Sequence, residues 1–249
     1  MSEQPATFWQ HLDVMRGGLI RSAAVVLTAA VVVFMLKEPL FRLLLWPLEP
    51  DFPTWRLLAG LGLTQVLPEA ELINTELARQ FIIHMQAALV TGLIIALPYV
   101  EFEAVRFVRP ALYEHERQRI IPVVVAAYLL FMAGIALAYW VLFPFTYLFL
   151  ADYQVAGTVH NWISLQSYTS TLMLMALMMG LMAELPVICR ILWRMGLISR
   201  QGLQHYRRHA IVGIFILAAV LTPTGDAFTL CLVAVPIWLL YELSALVIR

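Results

Sequence analysis

Residues 106–119 read RFVRPALYEHERQR, and the fold turns on how that stretch is understood. It holds Arg106, Arg109, Arg117 and Arg119, with Glu114 and Glu116 between them, in a chain that is 62% hydrophobic. Long apolar runs flank it on both sides. A short polar turn between two such runs is a loop held at a membrane surface. Its arginines mark that surface as the cytoplasmic one, where basic residues accumulate.

The composition supports this reading over the whole chain. Charged residues make up 13% and mean hydropathy is +0.83, against about 25% charged residues in a soluble domain. A surface this apolar would aggregate in water, so the solvent over most of the chain is lipid. Net charge is zero, which gives no footprint for nucleic acid. Cys189 and Cys231 both sit in apolar runs and read as inert buried thiols. No residues have metal-ligand spacing and no cofactor is implied. Residues 1–11 are polar, with no small-residue cleavage pattern after the first apolar run, so an uncleaved amino terminus is expected.

A spanning helix needs about 20 apolar residues. Runs near 19–36, 78–100, 121–143, 167–193, 210–221 and 227–248 fit, with the fifth short. That gives an all-α, polytopic membrane protein of six spans in a single domain covering 1–249. The fifth run is a short crossing met by local bilayer thinning, or a re-entrant piece. The turn TPTGD at 222–226 separates it from the sixth, because Pro and Gly there interrupt a helix. With the amino terminus in the cytoplasm, twelve basic residues fall on that side and four on the other. Both termini are then cytoplasmic, at the inner membrane of a cell. Outer loop 37–76 carries five prolines and amphipathic pieces suited to short interfacial helices. Outer loop 144–166 opens on the aromatic PFTYLFLADY, as suits the headgroup zone. No internal repeat is visible, so an inverted-repeat transporter has no support from the sequence.

Three acidic positions stand out. Glu184 lies in LMMGLMAELPVI, nine residues from Trp193, which is about 13 Å along a helix at ~1.5 Å per residue. An ionised side chain at that depth costs on the order of 3 kcal/mol on insertion scales, so it faces protein or a water-filled cavity and marks a functional site. A protonated glutamate hydrogen-bonded inside the bundle is the structural alternative. Pro186 should kink the helix beside it and free a carbonyl. Asp226 fits a helix N-cap in the TPTGD turn. Glu116 is either part of a solvated charge network, worth about 0–1 kcal/mol per pair, or an acceptor for a guanidinium in a partner peptide. Carboxylate–guanidinium pairing is bidentate and lysine cannot copy it. Histidines 205 and 209 sit beside Arg207 and Arg208, which makes a metal site there improbable. No nucleophile triad, phosphate loop or glycine fingerprint is present, so nothing reads as an enzyme.

Several strings taken together resemble one family. RPALYEHER after Phe107, the span-embedded AELPVI, the turn LTPTGD, AVPIWLLYE and the opening HLDVMR resemble the TatC subunit of the twin-arginine protein translocase. Their order and spacing agree from about His11 to Glu242. The resemblance implies six helices in a curved, glove-like concave wall. It implies a receptor for signal peptides bearing paired arginines, which moves folded proteins across the membrane on the proton gradient. Its partners would be the single-span TatA-like and TatB-like proteins, membrane lipids, and further copies in homo- and hetero-oligomers. Carried over residue by residue, Glu116 receives the signal's arginines. Phe107, Pro110, Leu112, Tyr113 and Arg117 form the loop motif around it, and Asp13 and Arg16 belong to the opening helix. Glu184 is the intramembrane acid of the concave face. Asp226 and Thr222 belong to the turn before the last span, where partner helices dock.

The chain also departs from the family pattern. Val14 stands where the family has Glu, and Gly18 where it has a second Arg. Asp13 lies one residue off, about 100° around a helix. Glu103 and Val105 replace the family's Gln-x-Trp before Phe107, and the turn carries an extra residue at Thr224–Gly225. Two other readings compete with the signal receptor: a small-solute or proton-coupled secondary transporter with Glu184 as its carboxylate, and a membrane scaffold.

Overall fold

The computed structural model describes residues 8–62, 72–108, 120–154, 161–222 and 225–247. Among the described residues there is no strand; the only sheet-like pairing is a parallel bridge between Ile73 and Ser164.

Helix α1, Phe8–Met35, is built from Ala, Val and Leu and exposes Leu19, Ile20, Leu27 and Val31 along its length. Leu36 leaves the helical region and α2 follows at Lys37–Leu45, burying Leu40 and Leu44 one turn apart. A 3₁₀ turn, Trp46–Leu48, and α3, Pro53–Gly60, complete this part. Pro53 sits at the first position of α3, where its missing N–H costs no helical bond. The loop expected at 37–76 does contain short helices. They fold onto a small core of Phe52, Trp55 and Leu58 against Trp46 and Tyr139.

Helix α4, Arg79–Val108, runs through Pro98. It passes well beyond the expected end near Val100, so Glu101, Glu103, Arg106 and Phe107 are helical. Helix α5, Ile120–Leu137, passes through a π turn, Ala138–Leu142, into α6, Phe143–Asp152. The expected loop beginning at Pro144 is therefore corrected: helix continues to Asp152. Pro144 falls in the first turn of α6, where proline is tolerated. The Thr54 hydroxyl donates to the carbonyl of Trp140 in the wide turn.

Helices α7, Leu165–Ala183, and α8, Leu185–Arg194, form one long rod broken at Glu184. Ser164 caps α7, its Oγ accepting from the Ser167 N–H at 3.1 Å. Short α9, Arg200–His205, leads to α10, Arg207–Leu221, and α11, Ala227–Val247, follows the turn. The main core joins Val33 of α1, Ala87 of α4, Leu172 and Met179 of α7, Ala218 of α10 and Ile237 of α11.

Five helical stretches among the described residues are long and apolar enough to cross a membrane: Leu12–Met35, Arg79–Phe107, Ile121–Asp152, Leu165–Arg194 and Ala227–Leu246. The expected fifth span corresponds to α10. Its 15 residues extend about 22 Å at ~1.5 Å per residue, short of a hydrocarbon core of about 30 Å. A count of six crossings is thus more than helix length alone establishes.

Candidate functional site

The first part of the site lies where α1 and α4 run together. Gly92 makes the approach possible: a Cβ there would fall 2.6 Å from the backbone N of Ala30. Nearer the Val108 end, Arg21 reaches across to Glu103. Its Nε donates to Oε1 at 3.0 Å and its Nη2 to Oε2 at 2.9 Å. This is the two-toothed geometry that a guanidinium makes with a carboxylate. Tyr99 adds a hydroxyl donor to Oε1 at 3.0 Å, and Arg106 approaches the same oxygen at 3.8 Å. Glu103 is only 7% exposed, so these donors replace the water it has lost. Ending the span near Val100 left this arrangement unseen. The signal for it was present in Tyr99 and Arg106, four residues before Glu103 and three after it, which places both on its helical face.

Beside the ion pair lies an apolar groove of about 240 Å³, lined by Val14, Met15, Gly18, Val100, Ala104 and Phe107 among others. Of the expected signal-site residues, Phe107 is therefore in the groove. Asp13 and Arg16 are exposed on α1, and Val14, not Asp13, lines the cavity. Glu116, Arg117 and Tyr113 lie outside the described residues, as do Pro110 and Leu112. The segment that carries them joins the end of α4 at Val108 to the start of α5 at Ile120.

The second part is the break at Glu184. Its N–H donates to Leu181 O at 3.2 Å, and its own carbonyl accepts from Val187 and Ile188 at 2.9 and 3.0 Å. Pro186 sits in the first turn of α8 and supplies no N–H to the ladder, as expected for a break there. The side chain is half-buried, and its Oε1 is sealed without a hydrogen-bond partner among the described residues. Across from it on α4 is Glu101, 7% exposed, which the sequence reading had missed entirely.

The third part is the turn between α10 and α11. Asp226 caps α11, its Oδ1 accepting from the Thr229 N–H at 2.7 Å. Gly225 takes φ +60°, a left-handed conformation that glycine adopts freely. Thr222 is buried, and its hydroxyl donates to Ala218 O at 3.0 Å, which closes the last turn of α10. At the other end, Arg207 pairs with Glu242 at 2.6 Å, and the Tyr241 hydroxyl donates to Leu203 O at 2.7 Å. The structure does not gather these positions into one centre. Phe107 lies at the Val108 end of α4, Glu184 inside the broken rod, and Thr222 and Asp226 at the α10–α11 turn.

Comparison with known proteins gives this arrangement a family. The family model for the Sec-independent protein translocase protein TatC matches residues 10–236. This chain belongs to the TatC family. The TatC of Deinococcus radiodurans is 34% identical over 244 residues, covering 98% of this chain and 86% of that protein. The TatC of Escherichia coli K12 is 34% identical over 188 residues, covering 75% and 72% of the two chains. A crystal structure of the twin arginine translocase receptor TatC in DDM superposes with a TM-score of 0.81 at 28% identity. It covers 96% of this chain and 99% of that one. A second crystal structure of the same receptor gives 0.78 at 29% identity. As a TatC-family chain with several apolar helices of spanning length, the protein is a multi-pass membrane protein of the Sec-independent translocase.

Proposed function

We propose that this TatC-family chain is the signal-peptide receptor at the core of a twin-arginine translocase. In this reading residues 109–119 face the cytoplasm, both termini lie on that side, and α10 makes a sixth, short crossing at the inner membrane. Glu116 accepts the paired guanidinium groups of the signal, with Phe107, Tyr113 and Arg117 beside it. Asp13 and Arg16 contribute from α1. The TatA-like and TatB-like partners pack against α10 and α11 near Thr222 and Asp226, with Glu184 on the concave face. Folded cargo then moves at the expense of the proton gradient.

The carrying observation is the family match over residues 10–236, together with the groove that sets Phe107 against the start of α1. The α1–α4 packing supports this reading, because Val14 and Phe107 line one groove although 93 residues separate them. A carboxylate–guanidinium hydrogen bond contributes about 1.5–3 kcal/mol, equivalent to roughly 10- to 150-fold in affinity. Glu116→Ala should therefore weaken binding of a paired-arginine peptide by at least about tenfold. Replacing both arginines of the peptide by lysine should weaken it similarly. Fluorescence anisotropy with the protein in nanodiscs measures both. Equal binding of the arginine and lysine peptides would remove the guanidinium site from this chain.

A further inference from the structure

We infer that Glu101 and Glu184 form a proton-binding site, a pair of carboxyl groups that hold one proton between them across the contact of α4 with the broken α7–α8 rod. The inference does not rest on the signal-receptor reading.

The placement is geometric. Glu101 stands seven residues before Val108 and Glu184 ten before Arg194, or about 10 and 15 Å from those helix ends at ~1.5 Å per residue. The two helical rods pack on each other, and the two carboxyl groups meet within hydrogen-bonding reach. Both oxygens of Glu101 and Oε1 of Glu184 are sealed from solvent and find no donor among the described residues. Ionised carboxylates only accept, so two of them in contact satisfy neither partner and repel. The missing element is a hydrogen. One proton turns one carboxyl into a donor and forms an O–H···O⁻ bond, among the strongest available to side chains. That proton belongs to the pair and not to either residue.

The surroundings favour a proton over other ligands. Among the described residues, Glu184 is the ionisable group that acts on Glu101, and Glu101 the one that acts on Glu184. Arg21 of α1 is engaged by Glu103, as is Arg106 of α4 itself. Helices α5 and α7 carry no charged side chain within Ile120–Leu137 and Leu165–Ala183. On α8, Arg190 and Arg194 follow Glu184 by six and ten residues. Arg79 and His84 stand at the first and sixth positions of α4, the end away from Glu101. A hard metal cation would demand about six oxygens, whereas a proton needs two.

The test is infrared difference spectroscopy of the full-length protein in lipid at pH 7, with no peptide or partner present. The wild type should show a protonated-carboxyl C=O band. Glu101→Gln and Glu184→Gln should each abolish it, because the new amide donates to the surviving carboxylate. The inference is overturned by a wild type without the band. It is equally overturned by a band that survives either single substitution, since the proton would then belong to one residue alone. A band that disappears when sodium replaces potassium would assign the pair to a cation instead. The wild-type measurement stands even if a variant fails to fold, and none of these outcomes bears on whether Glu116 binds arginine.

Discussion

Arg21 and Glu103 form a two-toothed ion pair between α1 and α4. Gly18 of α1 faces the same pair: a Cβ there would lie 3.4 Å from Glu103 Oε2. Arg21 sits three residues later, about one helical turn, and reaches the same carboxylate from there. The charge of the buried Glu103 is matched by the guanidinium of Arg21. Arg21→Ala strands that buried carboxylate, and the variant should melt below wild type in detergent. Arg21→Ala combined with Glu103→Gln should recover most of the loss, because a neutral amide needs no counter-charge and still accepts from Tyr99. A double variant that melts no higher than Arg21→Ala would show that the uncompensated carboxylate is not what costs that variant its stability.

At the scale of elements, close helix approach is set by small residues, and α1–α4 depends on Gly92. A methyl group there would meet the backbone of Ala30 at 2.6 and 2.7 Å. Backbone cannot swing aside as a side chain can, so the helices must separate. Overpacking of this kind costs about 1–3 kcal/mol, and Gly92→Ala should lower the unfolding free energy by about that amount, read from detergent-titrated unfolding. Gly213, with nothing within 4 Å of its Cβ position, is the matched control.

Much of this element level was legible in the sequence: the apolar runs, the break before Pro186 and the cap at Asp226 all follow from local residue chemistry. The ends of the helices were not. With the span ended near Val100, where charge begins, Glu101 and Glu103 fell outside it. Their partners, Arg21 and Glu184, lie 82 and 83 residues away, and no local pattern reports such pairings. Pro144 misled in the opposite direction, because a π turn just before it lets the helix take up a proline without ending.

Across the whole molecule, the exposed surface is apolar on nearly every helix, as lipid requires. On α10 the outward residues Val212, Phe215, Ile216 and Val220 stand between 45% and 75% exposed, and α11 adds Phe228, Val235 and Leu239. The Arg207–Glu242 pair ties α10 to α11, and the Tyr241 bond to Leu203 ties α11 to α9. A firm apolar face on a helix too short for the bilayer suits a neighbouring helix, since association there relieves the mismatch. Cysteines placed at Val220 and Val235 should cross-link to single-span partners in membranes, and one at Leu27 on α1 should not. Equal cross-linking at all three positions would deny α10–α11 any special part in assembly.

The π turn at Ala138–Leu142 has one more effect. Each residue added to a helix advances its phase by about 100°, so the wide turn acts as a rotary joint with a fixed setting. Upstream of it the rod presents Phe131 to Gly180 of α7; downstream it presents Phe143 and Tyr147 to Tyr168 at ring separations of 5.0 and 5.7 Å. Without that offset a straight helix would point one of those aromatic sets at α7 and the other into lipid. The extra residue lets a single rod keep both halves in mesh with the same neighbour.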